Sequence, residues 1–103
     1  MHQIIQDHFD ELVALCKEFG VARLEVFGSV VSDQFDPLLS DIDFLVTYPP
    51  DYDYGPWMGR VTELQQRLVD LFKRRVDLVI AKEFRNPYFR RSVEESRRLL
   101  FAA

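Results

Sequence analysis

Residues 26–46 read VFGSVVSDQFDPLLSDIDFLV, and this stretch decides the fold. Its first letters end the apolar run RLEVF, residues 23–27, which stops at a glycine and predicts a short strand. Its last letters predict a second strand over residues 41–47, where the unbroken block FLV indicates cover on both faces of a sheet. Residues 32–40 lie between the two strands and carry the Asp, Pro and Ser that predict a loop.

Helical and strand patterns continue on either side of this stretch. Apolar side chains recur at spacings of three and four from Ile4 to Phe19, which predicts an amphipathic helix. Similar periodicity predicts a helix from Gly59 to Arg74, and Pro87 opens a predicted helix that runs to Arg97. A third strand is predicted for RVDLVI, residues 75–80, and an edge strand for the tail LLF. The sequence therefore predicts an α/β fold, a small mixed β-sheet flanked by helices.

Charge is unevenly distributed along the 103 residues, which comprise 17 acidic and 13 basic side chains. Residues 1–58 contain eleven acidic and two basic side chains, whereas residues 59–103 contain six acidic and eleven basic ones. This division argues against a simple nucleic-acid coat, and no direct nucleic-acid binding is expected. The length and the 48% of hydrophobic residues predict one packed domain over residues 1–103.

Three features predict a cytoplasmic protein that does not insert into a membrane. Uncharged runs such as Phe44 to Pro50 are far shorter than the ~20 residues that span a bilayer. The N-terminus mixes acids into its apolar residues, unlike a secretory signal. The single cysteine, Cys16, cannot form an internal disulfide and fits a reducing compartment, and its place on the apolar face of the first helix predicts a buried thiol.

Asp41 and Asp43 are the most informative chemical feature. Side chains two residues apart on a strand share a face, so these carboxylates are expected to lie together, while Ile42 and Phe44 occupy the opposite face. Two carboxylates so close repel each other unless a cation lies between them, and their hard oxygen ligands suit Mg²⁺. By itself an Asp-x-Asp pair is a weak signal, because such pairs are common at strand ends and in loops.

Two further features strengthen this interpretation. Gly28 and Ser29 follow the first strand, where free backbone N–H groups and the serine hydroxyl could bind a phosphate, although Gly-Ser is also a common turn. Asp77 is an acid within an apolar strand, and such an acid is rarely fully buried unless it is paired or binds a metal. The other reading of Asp77 is an edge-strand residue that faces water or pairs with Arg75.

Together, VFGSVVSDQFDPLLSDIDFLV and the later VDLVI resemble the nucleotidyltransferase domain of the DNA polymerase β superfamily, in the minimal form called MNT. That family has Gly-Ser after a first strand, Asp-x-Asp on the next strand and a third acid on a later strand. The leading helix, the helix between the second and third acids and the ending NPYFRRSVEESRRLLF are also typical of MNT proteins. The resemblance covers nearly the whole chain and implies the polymerase β-like nucleotidyltransferase fold.

The resemblance also implies a role for five residues. Gly28 and Ser29 would hold a nucleoside triphosphate, and Asp41 and Asp43 would bind metal ions. Asp77 would complete the metal site and help to deprotonate the attacking hydroxyl. The implied reaction is the Mg²⁺-dependent transfer of AMP from ATP to a hydroxyl group, with pyrophosphate leaving.

The acceptor is expected to come from a partner, because a catalytic core that fills one small domain leaves no second domain to grip it. MNT proteins of this size resemble the antitoxin half of a two-component system whose toxin is a HEPN-type ribonuclease. The resemblance implies that this chain modifies a hydroxyl of such a toxin, that of a Tyr side chain, and thereby silences it.

Two other functions stay open at the level of sequence. The family usually has ten residues between Gly-Ser and Asp-x-Asp, whereas this chain has eleven. Val30, Val31, Ser32 and Asp33 replace the small, basic and glycine residues that commonly follow Gly-Ser. An antitoxin with a weak or inactive site that neutralises its toxin by binding alone is therefore the alternative, and the aromatic loop with Tyr52, Tyr54 and Trp57 favours it. A small-molecule nucleotidyltransferase that uses a helper domain from another chain is the third.

Overall fold

A four-stranded mixed sheet is the centre of a computed structural model that describes residues 2–32, 34–81, 91 and 94–103. The helices are α1 (Gln3–Asp7), α2 (Phe9–Glu18) and α3 (Gly59–Phe72), with short 3-10 helices at Gly28–Val30 and Pro56–Met58. The strands are β1 (Arg23–Phe27), β2 (Ile42–Thr47), β3 (Val76–Ile80) and β4 (Arg98–Ala102). Their order is β3-β2-β1-β4, with β2 and β3 parallel and the other pairs antiparallel. The predicted α/β class and mixed sheet are confirmed.

The strands match the predicted ones closely, and the differences concern their first residues. β1 has the predicted bounds, whereas β2 and β3 each begin one residue later than predicted, at Ile42 and Val76. Asp41 therefore precedes β2 instead of lying on it. β4 contains the predicted LLF tail and forms one edge of the sheet, and β3 forms the other.

The predicted helix from Ile4 to Phe19 is two helices with a break at His8, so the prediction of one continuous helix was wrong. His8 has φ −120° and ψ 18°, outside the helical region, and one of its ring nitrogens lies 2.9 Å from the carbonyl oxygen of Ile4. His2 caps α1, because its Nδ1 accepts a hydrogen bond from the N–H of Ile4 at 3.0 Å. Both histidines thus have structural roles at helix ends.

The helices cover one face of the sheet and form the main core with it. In β2, the alternate residues Ile42, Phe44 and Val46 point to this face and are fully buried. Cys16 is buried in the same core, as predicted, and this burial raises the pKa of its thiol to about 12.

The opposite face of the sheet, called the far face below, has a smaller apolar cluster. Phe27 and Leu45 are buried there, with Val79 and Ala81 packed against them. Burial of Leu45 confirms the prediction that β2 is covered on both faces. The far face also carries the odd-numbered acidic residues of β2 and β3, so it is the face on which the predicted chemistry lies.

The chain between β3 and β4 is described only in part. Residues 94–96 are helical, but the predicted helix from Pro87 to Arg97 lies mostly outside the described residues. In the part of the chain that the structure describes, no helix combines the length and the apolar character needed to cross a membrane.

Candidate active site

The turn after β1 brings the backbone against a carboxylate. Gly28 has φ +78°, and a Cβ atom built on it would overlap Oδ2 of Asp43. A residue with a side chain would be strained at this positive φ and would also carry the atom that clashes. The glycine is therefore required here by both its conformation and its contact with Asp43.

Strand pairing brings two of the three predicted acids together. Asp43 on β2 lies opposite Asp77 on β3 in the parallel register, and both side chains belong to the far face. The two carboxyl groups can share a hydrogen bond when one of them carries a proton. Burial, the hydrogen bond to Asp77 and the negative charges of Asp77 and Asp41 raise the pKa of Asp43 to about 6.

The third predicted acid, Asp41, lies at the margin of this pair. Its side chain is 35% exposed, and its Oδ2 is 4.0 Å from Nε of Arg75, the residue considered from the sequence as a partner of Asp77. Asp77 itself is exposed on an edge strand and pairs with Asp43. Among the described residues, no three His, Cys, Asp or Glu side chains are grouped closely enough to hold a metal ion.

The turn that begins at Gly28 is a short 3-10 helix, Gly28–Val30, which follows β1 directly. The N–H of Gly28 donates to Oγ of Ser96 at 3.1 Å, so the expectation that the N–H groups of this turn are free was wrong for Gly28. Because Gly28 has no side chain, a phosphate can approach the backbone of this turn closely.

A pocket of about 440 Å³ adjoins the turn and both acids. It is lined by the end of β1 and the turn after it, by β2, by β3 and by one residue of α3: Phe27, Gly28, Asp43, Gln65, Asp77, Leu78 and Val79. Gln65 was not predicted, and nothing in the sequence distinguishes it from the other polar residues of α3. Its side-chain amide donates to the carbonyl oxygen of Val76 at 3.0 Å, which ties α3 to the start of β3.

Glu25 is a further acid on the far face that sequence reasoning missed. Its side chain is 4% exposed and pairs with Nε of Arg23 at 3.0 Å and with Nε of Arg97 at 2.9 Å. Arg97 also donates to Oε1 of Glu94 at 2.7 Å. These side chains line a second pocket of about 420 Å³ at the far end of β1 from Gly28. The signal that singled out Asp77, an acid inside an apolar strand, is equally present in RLEVF.

The aromatic loop is mostly packed against the protein. The hydroxyl of Tyr52 donates to the carbonyl oxygen of Phe19, and its ring stacks on Tyr48 at a centroid distance of 4.3 Å. Tyr54 meets the Tyr52 ring edge-on at 5.1 Å. Trp57 is 98% exposed, so the predicted recognition surface is reduced to this one aromatic side chain of the three.

Comparison with known protein families gives a match over most of the chain. The model of the nucleotidyltransferase domain family matches residues 11–100. Two proteins of Methanocaldococcus jannaschii, each named "putative protein adenylyltransferase", are similar in sequence. The first is 32% identical over 94 residues, which cover 90% of this chain and 87% of that protein. The second is 36% identical over 81 residues, which cover 79% of this chain and 78% of that protein.

Solved structures share the fold. A structure described as a putative minimal nucleotidyltransferase superposes with a TM-score of 0.73 at 25% identity and covers 95% of both chains. The MNT antitoxin in complex with a tri-AMPylated HEPN toxin of Shewanella oneidensis gives a TM-score of 0.66 at 20% identity, covering 95% of this chain and 72% of that one. A toxin–antitoxin structure with AMP-PNP gives 0.68 at 21% identity, covering 92% and 73%. The minimal nucleotidyltransferase fold predicted from the sequence is thus confirmed.

Proposed function

The chain belongs to the nucleotidyltransferase domain family, and from this premise we propose that it transfers AMP from ATP to a hydroxyl group of a partner protein. The proposed partner is a HEPN-type ribonuclease toxin, the acceptor a Tyr side chain, and the biological role that of an antitoxin. The observation that carries the proposal is the meeting of Gly28, Asp43 and Asp77 at one pocket in a chain of this family.

Asp43 and Asp77 suit a divalent metal ion, with Asp41 as a third ligand. The carboxyl groups of Asp43 and Asp77 share a hydrogen bond, and a cation can replace the proton between them because it relieves the same repulsion. Bound there, Mg²⁺ would neutralise phosphate charge and lower the pKa of the attacking hydroxyl. The charge of Asp41 acts on Asp43, and a cation bound by Asp41 would replace the contact of this carboxylate with Arg75.

The remaining roles belong to the Gly28 turn and to Asp77. Gly28 and Ser29 are the residues proposed to hold the triphosphate: Gly28 lets the phosphates approach the backbone, and the hydroxyl of Ser29 can donate to a phosphate oxygen. Asp77 is exposed, so an acceptor hydroxyl can reach its carboxylate and transfer its proton there. The acceptor oxygen then forms a bond to the α-phosphorus, and the bond from that phosphorus to pyrophosphate breaks.

Support for the partner comes from related complexes and from the surface of this chain. Neighbouring structures contain an MNT antitoxin with its HEPN toxin, and in one of them the toxin is tri-AMPylated. Trp57, which is 98% exposed, is the proposed anchor on this chain, since exposed aromatic side chains commonly dominate interface energies. A cytoplasmic location is part of the proposal and is supported by the free, buried thiol of Cys16.

The direct test incubates the chain with Mg²⁺, α-labelled ATP and the proposed HEPN-type partner, which is to be sought in the neighbouring gene. Label should appear on the toxin and should be lost when Asp41→Asn and Asp43→Asn are combined. A matched control combines Asp10→Asn and Asp70→Asn, which remove the same charge from exposed positions on α2 and α3. Absence of label with the unmodified chain, or equal labelling by the Asp41/Asp43 variant, would contradict the proposal.

Neutralisation by binding alone is the alternative function. The ion pair of Asp41 with Arg75 and the lack of a three-carboxylate cluster among the described residues favour it. The two functions differ in cells that express the toxin. If the Asp41→Asn and Asp43→Asn variant still protects these cells while the toxin stays unmodified, binding alone accounts for the antitoxin effect.

A further inference from the structure

Ser96 contacts the candidate phosphate-binding turn although 68 positions separate it from Gly28 in the sequence. Its Oγ accepts a hydrogen bond from the N–H of Gly28 at 3.1 Å. We propose that Ser96 is a positioning residue for the nucleotide: by holding the Gly28 amide it fixes the Gly28–Val30 turn in the conformation that receives the phosphates. The inference rests on the proposed function, because it adds a residue to the same nucleotide site.

A β-bulge places Ser96 beside the turn. The pairing of β1 with β4 shifts by one residue between Leu24 and Glu25, which leaves Leu100 as the extra residue of β4. The last residues that pair are Val26 and Arg98, so two further positions along each strand put Ser96 opposite Gly28. Without the bulge, the same count would put Arg97 opposite Gly28. Bulges next to functional sites commonly re-aim a side chain, and here the bulge aims a hydroxyl at the Gly28 amide.

The ion pair between Glu25 and Arg97 anchors the residue next to Ser96. Glu25 lies on the central strand β1 with its side chain 4% exposed, and Nε of Arg97 is 2.9 Å from its carboxylate. A buried ion pair is weak support for stability, because desolvation of both charges offsets much of their attraction. The ion pair does, however, fix the position of Arg97 against the sheet. It thereby limits the positions that the hydroxyl of the adjacent Ser96 can take.

Arg23 provides an internal comparison for this anchor. Its Nε binds the same Glu25 carboxylate at 3.0 Å, but Arg23 belongs to β1 itself and not to the segment before β4 that contains Ser96. Removing Arg23 therefore takes away one of the two cations on Glu25 without releasing the segment before β4. Removing Arg97 takes away one cation as well, and it also frees that segment.

Gly28 is consequently restrained from two sides. Asp43 lies against its Cα on the β2 side, and the hydroxyl of Ser96 holds its N–H on the β4 side. If the hydrogen bond to Ser96 is lost, the peptide unit between Phe27 and Gly28, to which this N–H belongs, can rotate. The turn that follows then no longer keeps one position beside the phosphates, so binding of the phosphate part of a nucleotide should weaken.

The test measures dissociation constants of AMP-PNP with Mg²⁺ by titration calorimetry on the full chain. Ser96→Ala and Arg97→Gln should each weaken binding by about two- to tenfold, the range expected for one neutral hydrogen bond. Ser96→Thr, which keeps the hydroxyl, should restore most of the affinity. Arg23→Gln is the matched control and should bind AMP-PNP like the unmodified chain.

A second measurement separates positioning from a general loss of structure. The exchange protection of the Gly28 amide, followed by NMR, should fall in Ser96→Ala and Arg97→Gln but not in Arg23→Gln, while the melting temperature stays within a few degrees. Unchanged AMP-PNP affinity in Ser96→Ala, or equal losses in Arg23→Gln and Arg97→Gln, would overturn the role of Ser96 and leave the proposed function intact. If the unmodified chain does not bind AMP-PNP, the proposed function fails, and the role of Ser96 fails with it.

Discussion

The two faces of β2 serve different purposes although they belong to one strand of six residues. The face toward the helices carries apolar side chains that are completely buried: Ile42, Phe44 and Val46. The far face begins with Asp43, whose half-buried carboxyl group is hydrogen-bonded to Asp77. Alternation along one strand thus separates the side chains that stabilise the fold from those proposed to perform the chemistry.

Burial affects stability differently on the two faces of β2. Apolar burial on the helix side stabilises the folded state, with about 25 cal/mol for each Å² removed from water. On the far side, burial of Asp43 next to two other acids raises its pKa, which means that its ionised form is unfavourable in the folded chain. Such an arrangement is typical of functional sites, where groups are kept for chemistry at a cost in stability.

The largest expected effect comes from truncating a buried side chain on the face of β2 that packs against the helices. Phe44→Ala should lower the free energy of unfolding by about 3–5 kcal/mol, because it leaves a cavity in the main core. Urea denaturation measures this change. Leu39→Ala, at a position 83% exposed, serves as the control and should change stability by less than about 0.5 kcal/mol. A loss below 1 kcal/mol for Phe44→Ala would contradict the assignment of this face as the core.

The next effect concerns the turn that meets the far face. Gly28→Ala should cost about 1–3 kcal/mol of stability, because it combines a positive φ with overlap against Asp43, and it should also weaken AMP-PNP binding. Gly59→Ala is the matched control, since Gly59 has φ −57° and open space around its Cα. It should leave binding unchanged and stabilise the chain slightly. Equal effects of the two substitutions would show that the Asp43 contact is unimportant.

A smaller effect should appear in the pH dependence of stability without metal. The pKa of Asp43 is about 6 in the folded chain and about 4 in an unfolded one, so between these values the folded state binds more protons. The contribution of this group to the free energy of unfolding therefore falls as pH rises from about 4 to 6. The Asp43→Asn variant lacks this contribution. The stability of the variant relative to the unmodified chain should therefore increase as pH rises from about 4 to 6. Thermal melts at each pH measure this difference. A stability difference between the Asp43→Asn variant and the unmodified chain that does not change with pH would refute the prediction.

The smallest expected effect on folding lies outside both faces of the sheet. Trp57→Ala should change the free energy of unfolding by less than about 0.5 kcal/mol, because the side chain is 98% exposed. The same substitution should weaken the complex with the toxin by tenfold or more, as for a central aromatic anchor of an interface. Surface plasmon resonance with the toxin immobilised measures this affinity. Unchanged affinity would exclude Trp57 as the anchor.

Most of the fold was predictable because its signals are local. The apolar block of β2, the periodicity of α3 and the glycine after β1 each follow from the conformational preferences of neighbouring residues. The prediction of one continuous first helix was wrong. His8 is not a helix breaker by composition, but its backbone leaves the helical region at the end of α1, where its ring lies against the carbonyl oxygen of Ile4.

The candidate site was predictable in its residue types and only partly in its geometry. An acid in each of two apolar strands indicated Asp43 and Asp77, and the structure places them side by side. The same signal at Glu25 was overlooked. Nothing in the sequence near Ser96 indicates that its hydroxyl meets Gly28, because that contact depends on a bulge between strands far apart in the chain.

By itself, the sequence determined which residues alternate on each strand, which helices have an apolar side, and where glycine is needed. These properties depend on neighbours within a few positions and on the fixed geometry of the backbone. Only the tertiary structure decided that Asp43 faces Asp77 in register, that Arg97 joins Glu25, and that Asp41 lies beside Arg75. Such contacts are set by the packing and register of whole strands, in which a shift of one residue would exchange every partner.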